Sequence, residues 1–350
     1  MPHHFQNLVE VYERSVREFA DHNLFGVKAD GAYQWMTYGE FGARVDACRA
    51  ALAARGVGVG DTVATISDNR VEWAVCAYAT YGLGARYCPM YESQSIDDRT
   101  YILDDSEACF LFTANRKIRT EIEEIQRHGR LGNIRDIVHF DGPGDSFESF
   151  LQEGSGRDER LVSPDPDDVC ALIYTSGTTG KPKGVLLTHR NIASNVNAVH
   201  DIDIIEPDDI SLAFLPWAHS FGQTAELHGM FSVGASMALV ENLTTIIENL
   251  GEVRPTLLFS VPRVFNKIYD GVHRKMHHES GLKRRLFSWS MTNATKLRAA
   301  RKRGQNPLFR LMLDWIFDKL IFSKVRARFG GRLRLSVSGG AKLNHDVAEF

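Results

Sequence analysis

Residues Val169–Gly184 read VCALIYTSGTTGKPKG. An apolar run is followed at once, between Tyr174 and Gly184, by three threonines, a serine, three glycines and two lysines. The run 169–175 has the length and the apolar content of a buried strand. Hydroxyls and glycine amides placed directly after a strand suit a polyphosphate best. Glycine lets the backbone approach closely and aim several N–H groups at one anion; threonine and serine add donors, and lysine adds charge. A plain glycine-rich surface turn is the competing reading, and it accounts poorly for so dense a run. Two familiar phosphate loops fail on spacing. A GxxxxGK[ST] loop would need glycine five residues after Gly177, where Pro182 stands, and Lys181 precedes that proline rather than Ser or Thr. The helix also starts later, around Thr188–Asn191, and no GxGxxG pattern is present.

Outward from this stretch, strand-like and helix-like segments alternate. Thr37–Glu40 fits a capping box, followed by a helix that stops near Gly56. Strands are predicted at 62–67, 85–89, 107–113, 134–140, 169–175, 211–216, 235–240, 256–261 and 333–338, with helical patterns between most of them and a helix at 71–82. Such alternation means an α/β fold with mostly parallel sheets flanked by helices. The Gly-, Pro-, Ser- and Asp-rich segment 141–168, broken by one short helix at SFESFLQ, reads as a linker. It divides the chain into a first α/β subdomain, 1–165, and a second, 166–350. The last residues, LNHDVAEF, read as the opening of a helix.

The 350 residues, 43% hydrophobic, suffice for more than one core. A net charge of −3 gives no reason to expect a nucleic-acid partner. Its distribution is uneven: Arg274–Arg334 carries 17 Lys/Arg against three Asp/Glu, so the remaining residues sum to −17. The stretch 308–322, LFRLMLDWIFDKLIF, spaces Leu308, Leu311, Trp315, Phe317 and Ile321 mostly along one helix face. A solvated helical surface and transient docking on an anionic membrane are both open readings of this basic segment. Five dispersed cysteines without a CxxC pair argue against a zinc site and a disulfide scaffold, and for reduced thiols in a cytoplasmic protein. The N-terminus has no apolar signal core, and no run of apolar residues approaches the roughly 20 that span a bilayer.

The stretch YTSGTTGKPKGVLLTHRN closely resembles the signature of the adenylate-forming, or AMP-binding, superfamily of acyl-CoA synthetases, luciferases and nonribosomal adenylation domains. WMTYGEF (35–41), LPWAHSFGQ (215–223) and SVSGGAKL (336–343) are similar to further segments of that family, and VPRVFNKIYDGV (261–272) with KRRLFSWS (283–290) resembles its long-chain fatty acyl-CoA synthetases. The resemblance implies the large N-terminal domain of such an enzyme and two half-reactions. A carboxylate attacks the α-phosphorus of ATP, releasing pyrophosphate, and the thiol of coenzyme A then displaces AMP. ATP, Mg²⁺ and coenzyme A are therefore the expected cofactors and co-substrates, and a fatty acid is the expected substrate.

Carried over by position, Thr175, Ser176, Gly177, Thr178, Thr179 and Gly180 cradle phosphates, Thr175 also touches Mg²⁺, and Lys183 lies near the β/γ end. His219 lines the place where carboxylate and α-phosphate meet; taken without the family, it reads as a structural histidine at a strand–helix turn. Trp217 and Phe221 border the acyl tunnel or are simple core aromatics. Gly339, Gly340 and Ala341 let adenine and the acyl head pack on bare backbone, or form a tight turn. Arg263 reaches an anion or caps a helix. Two departures stand out. Gln223 occupies the position where branches of the family carry a bulky gate. The aromatic-Gly-x-Thr-Glu motif, the later hinge and the small C-terminal domain with its catalytic lysine are absent, so the chain is expected to be an N-terminal fragment that adenylates poorly. A fatty acyl-AMP ligase, another carboxylic acid–CoA ligase, and a non-catalytic nucleotide- or lipid-binding remnant remain alternatives. Chain-length preference and oligomeric state stay open.

Overall fold

The computed structural model describes residues 4–142, 144, 146–175 and 180–349. Twelve strands follow one another along the chain: β1 (Asn23–Ala29), β2 (Ala32–Thr37), β3 (Thr62–Ile66), β4 (Arg86–Met90), β5 (Ala108–Asn115), β6 (Asp136–Asp141), β7 (Val169–Thr175), β8 (Lys183–Thr188), β9 (Ile210–Ala213), β10 (Ser236–Leu239), β11 (Leu257–Ser260) and β12 (Leu335–Ser338). The chain forms two compact units, Met1–Asp209 with Ala213–Leu239, and Ile210–Leu212 with Val240–Phe350.

In the first unit six strands make a sheet in the order β6-β5-β3-β4-β7-β8, parallel except where β8 turns back beside β7. Every residue of β3 is buried, as are the first seven of β5. Helices cover both faces of such a sheet, so its strands are apolar throughout rather than alternating. The helix Val71–Gly82 between β3 and β4 has every residue but Glu72 buried. The helices Ile96–Asp105 and Arg116–Arg127 carry Ile102, Leu103, Ile118 and Ile122 into one core with Ala64, Leu111 and Leu172 of the sheet. From β4 the chain crosses past β3 to form β5, so winding reverses beside β3 and β4; ligand crevices of open α/β sheets lie at the carboxyl ends of the strands near such a reversal. β1 pairs with β2 in a hairpin and runs parallel to β10. The helix Tyr38–Ala54 starts on the capping box read from the sequence, Thr37 with Glu40.

The second unit holds β9, β11 and β12 side by side and parallel, with Ser260 of β11 opposite Ser338 of β12. Thr256 ties β9 to β11 through its hydroxyl, which accepts the Ile210 N–H at 2.9 Å. The helices Ile246–Val253, Pro262–His277, Gly281–Lys302 and Leu308–Phe317 and shorter turns complete it. Pro262 opens its helix where its missing N–H costs nothing.

All nine strands read from the sequence are present, and the terminal helix is His345–Glu349. Three strands went unread: β1, β2 and β8. The expected strand 211–216 ends at Ala213, and the residues beyond it form a loop. The division at 165/166 differs from the observed units, because β7, just past it, pairs with β4 and completes the same sheet. Nor is 141–168 a free linker. Its helix Phe147–Gly154 lies so close to the helix Tyr38–Ala54 that a Cβ on Gly154 would fall 1.9 Å from the Ala47 carbonyl oxygen. The Arg49 guanidinium also donates to the Glu159 carbonyl at 2.8 and 3.0 Å. All five cysteines are buried and free.

Candidate functional site

The threonine-glycine stretch leaves β7 and returns as β8. The two strands are in register with Thr175 opposite Lys183 and Tyr174 opposite Gly184. β7 is buried from Cys170 through Tyr174 and emerges into solvent at Thr175. Tyr174 anchors the strand end, its hydroxyl donating to Asp105 at 2.6 Å, and burial raises its pKa well above the usual phenol value. Gly184 lies flat against that ring, where a Cβ would be 3.0 Å from Tyr174 Cζ. Thr175 and Lys183 are thus neighbouring, exposed groups at the root of the turn. Gly180 has φ +97° and open space around it, a conformation that favours glycine. Lys181 lies over the Tyr101 ring, 5.0 Å from its centroid. Ser176, Gly177, Thr178 and Thr179 lie outside the described residues. The helix His189–Ile202 starts where the sequence predicts, on a capping box of Thr188 and Asn191.

His219 sits on the loop that follows β9. Two interactions shape that loop. Asn69, three residues past the end of β3, donates from Nδ2 to the Leu215 carbonyl at 2.7 Å and accepts the Trp217 N–H on Oδ1 at 2.8 Å. Gly222 closes the loop on itself, since a Cβ there would meet the Pro216 oxygen at 2.5 Å. His219 is exposed, and its Nδ1 accepts the Phe221 N–H at 3.2 Å. With Nδ1 accepting that bond, the neutral ring carries its proton on Nε2, which can donate to an oxyanion. Gly222–His228 then forms a π-helical turn, a departure from α-geometry frequent at functional sites.

The neighbours of His219 divide. Phe221 is half-buried. Trp217 is fully buried against Phe25 and Trp73, with ring centroids at 5.7 and 5.6 Å, and so belongs to the aromatic core. Gln223 is fully buried too, its Nε2 donating to the Tyr81 hydroxyl at 3.2 Å.

In the second unit β11 and β12 end together, Ser260 opposite Ser338. Gly339 donates its N–H to the Ser260 carbonyl at 3.1 Å. Gly340 turns with φ +77°, is exposed, and has only Val261 within 4 Å of a built Cβ. Ala341 is exposed beside it. Arg263 is exposed in the first turn of the helix Pro262–His277.

Within the first unit, then, Thr175 and Lys183 are brought together directly. The His219 loop is held by Asn69 to the carboxyl edge of the same parallel sheet from which Thr175 departs. Gly339–Ala341 belong to the second unit. Asn69, Tyr174 with Asp105, and the Lys181–Tyr101 pair escaped the sequence reading. Only Asn69 left a trace there, as a polar residue just ahead of a largely apolar helix. Among the described residues no group of three His, Cys, Asp or Glu could hold a metal ion. The exposed Thr175 hydroxyl fits Mg²⁺ only as one oxygen of a sphere otherwise supplied by nucleotide phosphates and water.

A model of AMP-binding enzymes matches residues 12–350. The chain is 30% identical over 359 residues to the peroxisomal long chain acyl-CoA synthetase 6 of Arabidopsis thaliana, covering 97% of this chain and 49% of that protein. It is 30% identical over 345 residues to the long-chain-fatty-acid–CoA ligase FadD15 of Mycobacterium bovis, covering 95% and 56%. The chain therefore spans about half the length of these curated relatives. Among solved structures, the adenylation domain of a carboxylate reductase from Mycobacterium chelonae superimposes with TM-score 0.72 at 20% identity, over 97% of this chain and 55% of that one. The N-terminal domain of FACL13 from Mycobacterium tuberculosis does so with TM-score 0.66 at 23% identity, over 75% and 64%. The fold is that of the N-terminal domains of adenylate-forming enzymes.

Proposed function

The chain belongs to the AMP-binding enzyme family, and from that membership we propose that it serves the ATP-dependent activation of a long-chain fatty acid to acyl-AMP and then acyl-CoA. The carrying observation is the β7–β8 hairpin, which sets Thr175 beside Lys183 on the sheet edge to which Asn69 also fastens the His219 loop. The first half-reaction brings a carboxylate against a polyanion, so charge neutralisation is its main physical problem. Donors already in place where charge develops meet that problem most effectively. In this reading the Thr175 hydroxyl, the turn through Gly180 and the Lys183 ammonium take the phosphate chain. Mg²⁺, when bound with the nucleotide, supplies further neutralisation at the phosphate oxygens. His219 donates from Nε2 to an oxygen of the acid, fixing it for attack on the α-phosphorus. Pyrophosphate leaves, and the coenzyme A thiol later displaces AMP. Gly339–Ala341 offers a bare-backbone surface to flat or extended ligand groups.

The long-chain acid is favoured over other acids by the relatives named above. Acceptance by a carrier-protein thiol instead of coenzyme A is the second reading, and it leaves the adenylating step unchanged. Peripheral contact with an anionic membrane is part of the proposal, since the substrate is an amphiphile. No helix among the described residues is long and apolar enough to cross a membrane. Pyrophosphate release measured across straight-chain acids of increasing length tests the reading, on this chain and on a polypeptide of its relatives' length. A rise with chain length supports it; release indifferent to any carboxylic acid overturns it.

A further inference from the structure

We propose that the outward face of the helix Leu308–Phe317 and of the turn Asp318–Phe322, with Trp289 of the neighbouring helix, docks on the surface of an anionic phospholipid bilayer. This deepens the membrane contact in the function proposed above by naming the face that makes it.

The helices Gly281–Lys302 and Leu308–Phe317 form a hairpin whose inner side is already satisfied. Phe287, Leu297, Ala300 and Phe317 are buried, and the Asn293 amide donates to the Arg310 carbonyl at 3.2 Å. The outer side is inverted for a helix in water. Leu308 is 83% exposed, Phe309 68%, Met312 55% and Trp315 60%. Positions 308, 312, 315 and 319 recur at helical spacing, so Leu308, Met312 and Trp315 make one stripe. Lys319 ends it, with Nζ 4.1 Å from the centroid of the Trp315 ring. Trp289, 63% exposed, continues the surface, its ring 6.1 Å from that of Phe317.

Charge identifies the occupant. Arg274–Arg334 holds 17 Lys/Arg against three Asp/Glu. Two of those three acids are already engaged, Glu279 by Lys283 at 2.8 Å and Asp318 by Arg326 at 2.6 Å. Arg284, Arg285, Lys296 and Lys302 are exposed cations of the neighbouring helix Gly281–Lys302, the helix that also carries Trp289. A second copy of the chain would bring the same excess of positive charge to the contact and repel it. A bilayer with anionic headgroups accepts both features. Leucine, phenylalanine and tryptophan enter the headgroup–acyl boundary, while lysine and arginine stay at the charged surface.

The test is co-sedimentation of the 350-residue chain, without ATP or acid, with vesicles of phosphatidylcholine alone or mixed with phosphatidylglycerol. Parallel vesicles carry brominated acyl chains that quench tryptophan at the boundary. The expected result is binding to the anionic vesicles at low salt, weakened about tenfold on neutral vesicles or in high salt. Brominated chains should quench emission in the parent and much less in the W289F/W315F variant, since of the three tryptophans that remain Trp73 and Trp217 are buried and Trp35, half-buried on β2, is common to both proteins. The F309S/W315S variant should bind about tenfold more weakly with an unchanged melting temperature. Equal partition onto both vesicles, or absence of quenching, overturns the proposal. So does a concentration-dependent dimer abolished by F309S/W315S with vesicle binding unaltered, which would assign the face to a second copy. Because neither nucleotide nor acid is present, failure here leaves the adenylation reading standing, and failure of pyrophosphate release leaves this one standing.

Discussion

Asn69 acts on a loop 146 and 148 residues further along the chain, through one donated and one accepted hydrogen bond. The carbonyl of Leu215 and the N–H of Trp217 have their partner in this one amide, and Trp217 is fully buried. Replacing Asn69 with alanine leaves that N–H without a partner, at about 1–3 kcal/mol, and frees the loop that carries His219. We expect Asn69→Ala to lower the rate of pyrophosphate release about tenfold or more, as a misplaced group does, mostly in kcat. Asn69→Asp keeps the acceptor and loses the donor, so its loss should be smaller. Steady-state kinetics beside thermal unfolding separates the positional effect from simple destabilisation. Asn69 was illegible in the sequence because its meaning lies in two partners distant along the chain. His219 was legible only through its neighbours in AHSFG; its tautomer, set by the Phe221 N–H, depends on the folded loop.

At the scale of elements, the β7–β8 hairpin fixes the two residues from which the hydroxyl-rich stretch departs and to which it returns, Thr175 and Lys183. Its strands are locked by register and by the Tyr174–Asp105 hydrogen bond, while its functional groups at Thr175 and Lys183 point to solvent. Lys183→Ala should therefore leave the melting temperature unchanged and reduce ATP-dependent pyrophosphate release about 10²-fold, the cost of removing one preorganised charge contact. The helix Phe147–Gly154 makes the opposite point. A Gly, Pro, Ser and Asp-rich composition reads as linker, yet Gly154 is there for close contact: a Cβ would also stand 2.7 Å from the Ala51 nitrogen. Gly154→Ala should destabilise the first unit by about 3 kcal/mol, the upper end of overpacking costs. Chemical denaturation reads the loss, and faster proteolysis within 141–168 would locate it. β8 escaped prediction because it is an exposed strand, with Gly184, Val185 and Leu186 all in contact with water. No burial imprints a period-2 pattern on such a strand.

Across the first unit as a whole, two buried histidines set an acid limit. His228 is fully buried, its Nδ1 2.8 Å from the Tyr78 hydroxyl, and burial lowers its pKa from the usual 6.5 to about 3, with His189 adding to the effect. His189 accepts the Leu8 N–H, and burial brings its pKa to about 4 against the opposing pull of Asp168. Both are neutral when folded and protonate near 6.5 when unfolded, so the unfolded chain takes up protons first as pH falls. Their contribution to stability is intact above about pH 6.5. It is lost between 6.5 and about 4 for His189, and down to about 3 for His228. At pH 5 each should have removed about 2 kcal/mol, at about 1.4 kcal/mol per pH unit. Urea unfolding at pH 7, 6 and 5 checks this, and His228→Gln should flatten the dependence by roughly one proton. A stability that does not change over this range would refute it.

Local chemistry and periodicity alone were enough to establish the α/β class, nine of the twelve strands, the capped start of the helix Tyr38–Ala54 and the place where the helix His189–Ile202 begins. Those features are written in contiguous residues: apolar runs and local capping signals. The grouping into two units, the docking of the supposed linker, the burial of Trp217, the hold of Asn69 on the His219 loop and the outward apolar stripe at Leu308, Met312 and Trp315 were decided only by tertiary structure. Each depends on which surfaces meet across long separations in sequence, and burial, not residue type, determines whether an aromatic ring is core or contact.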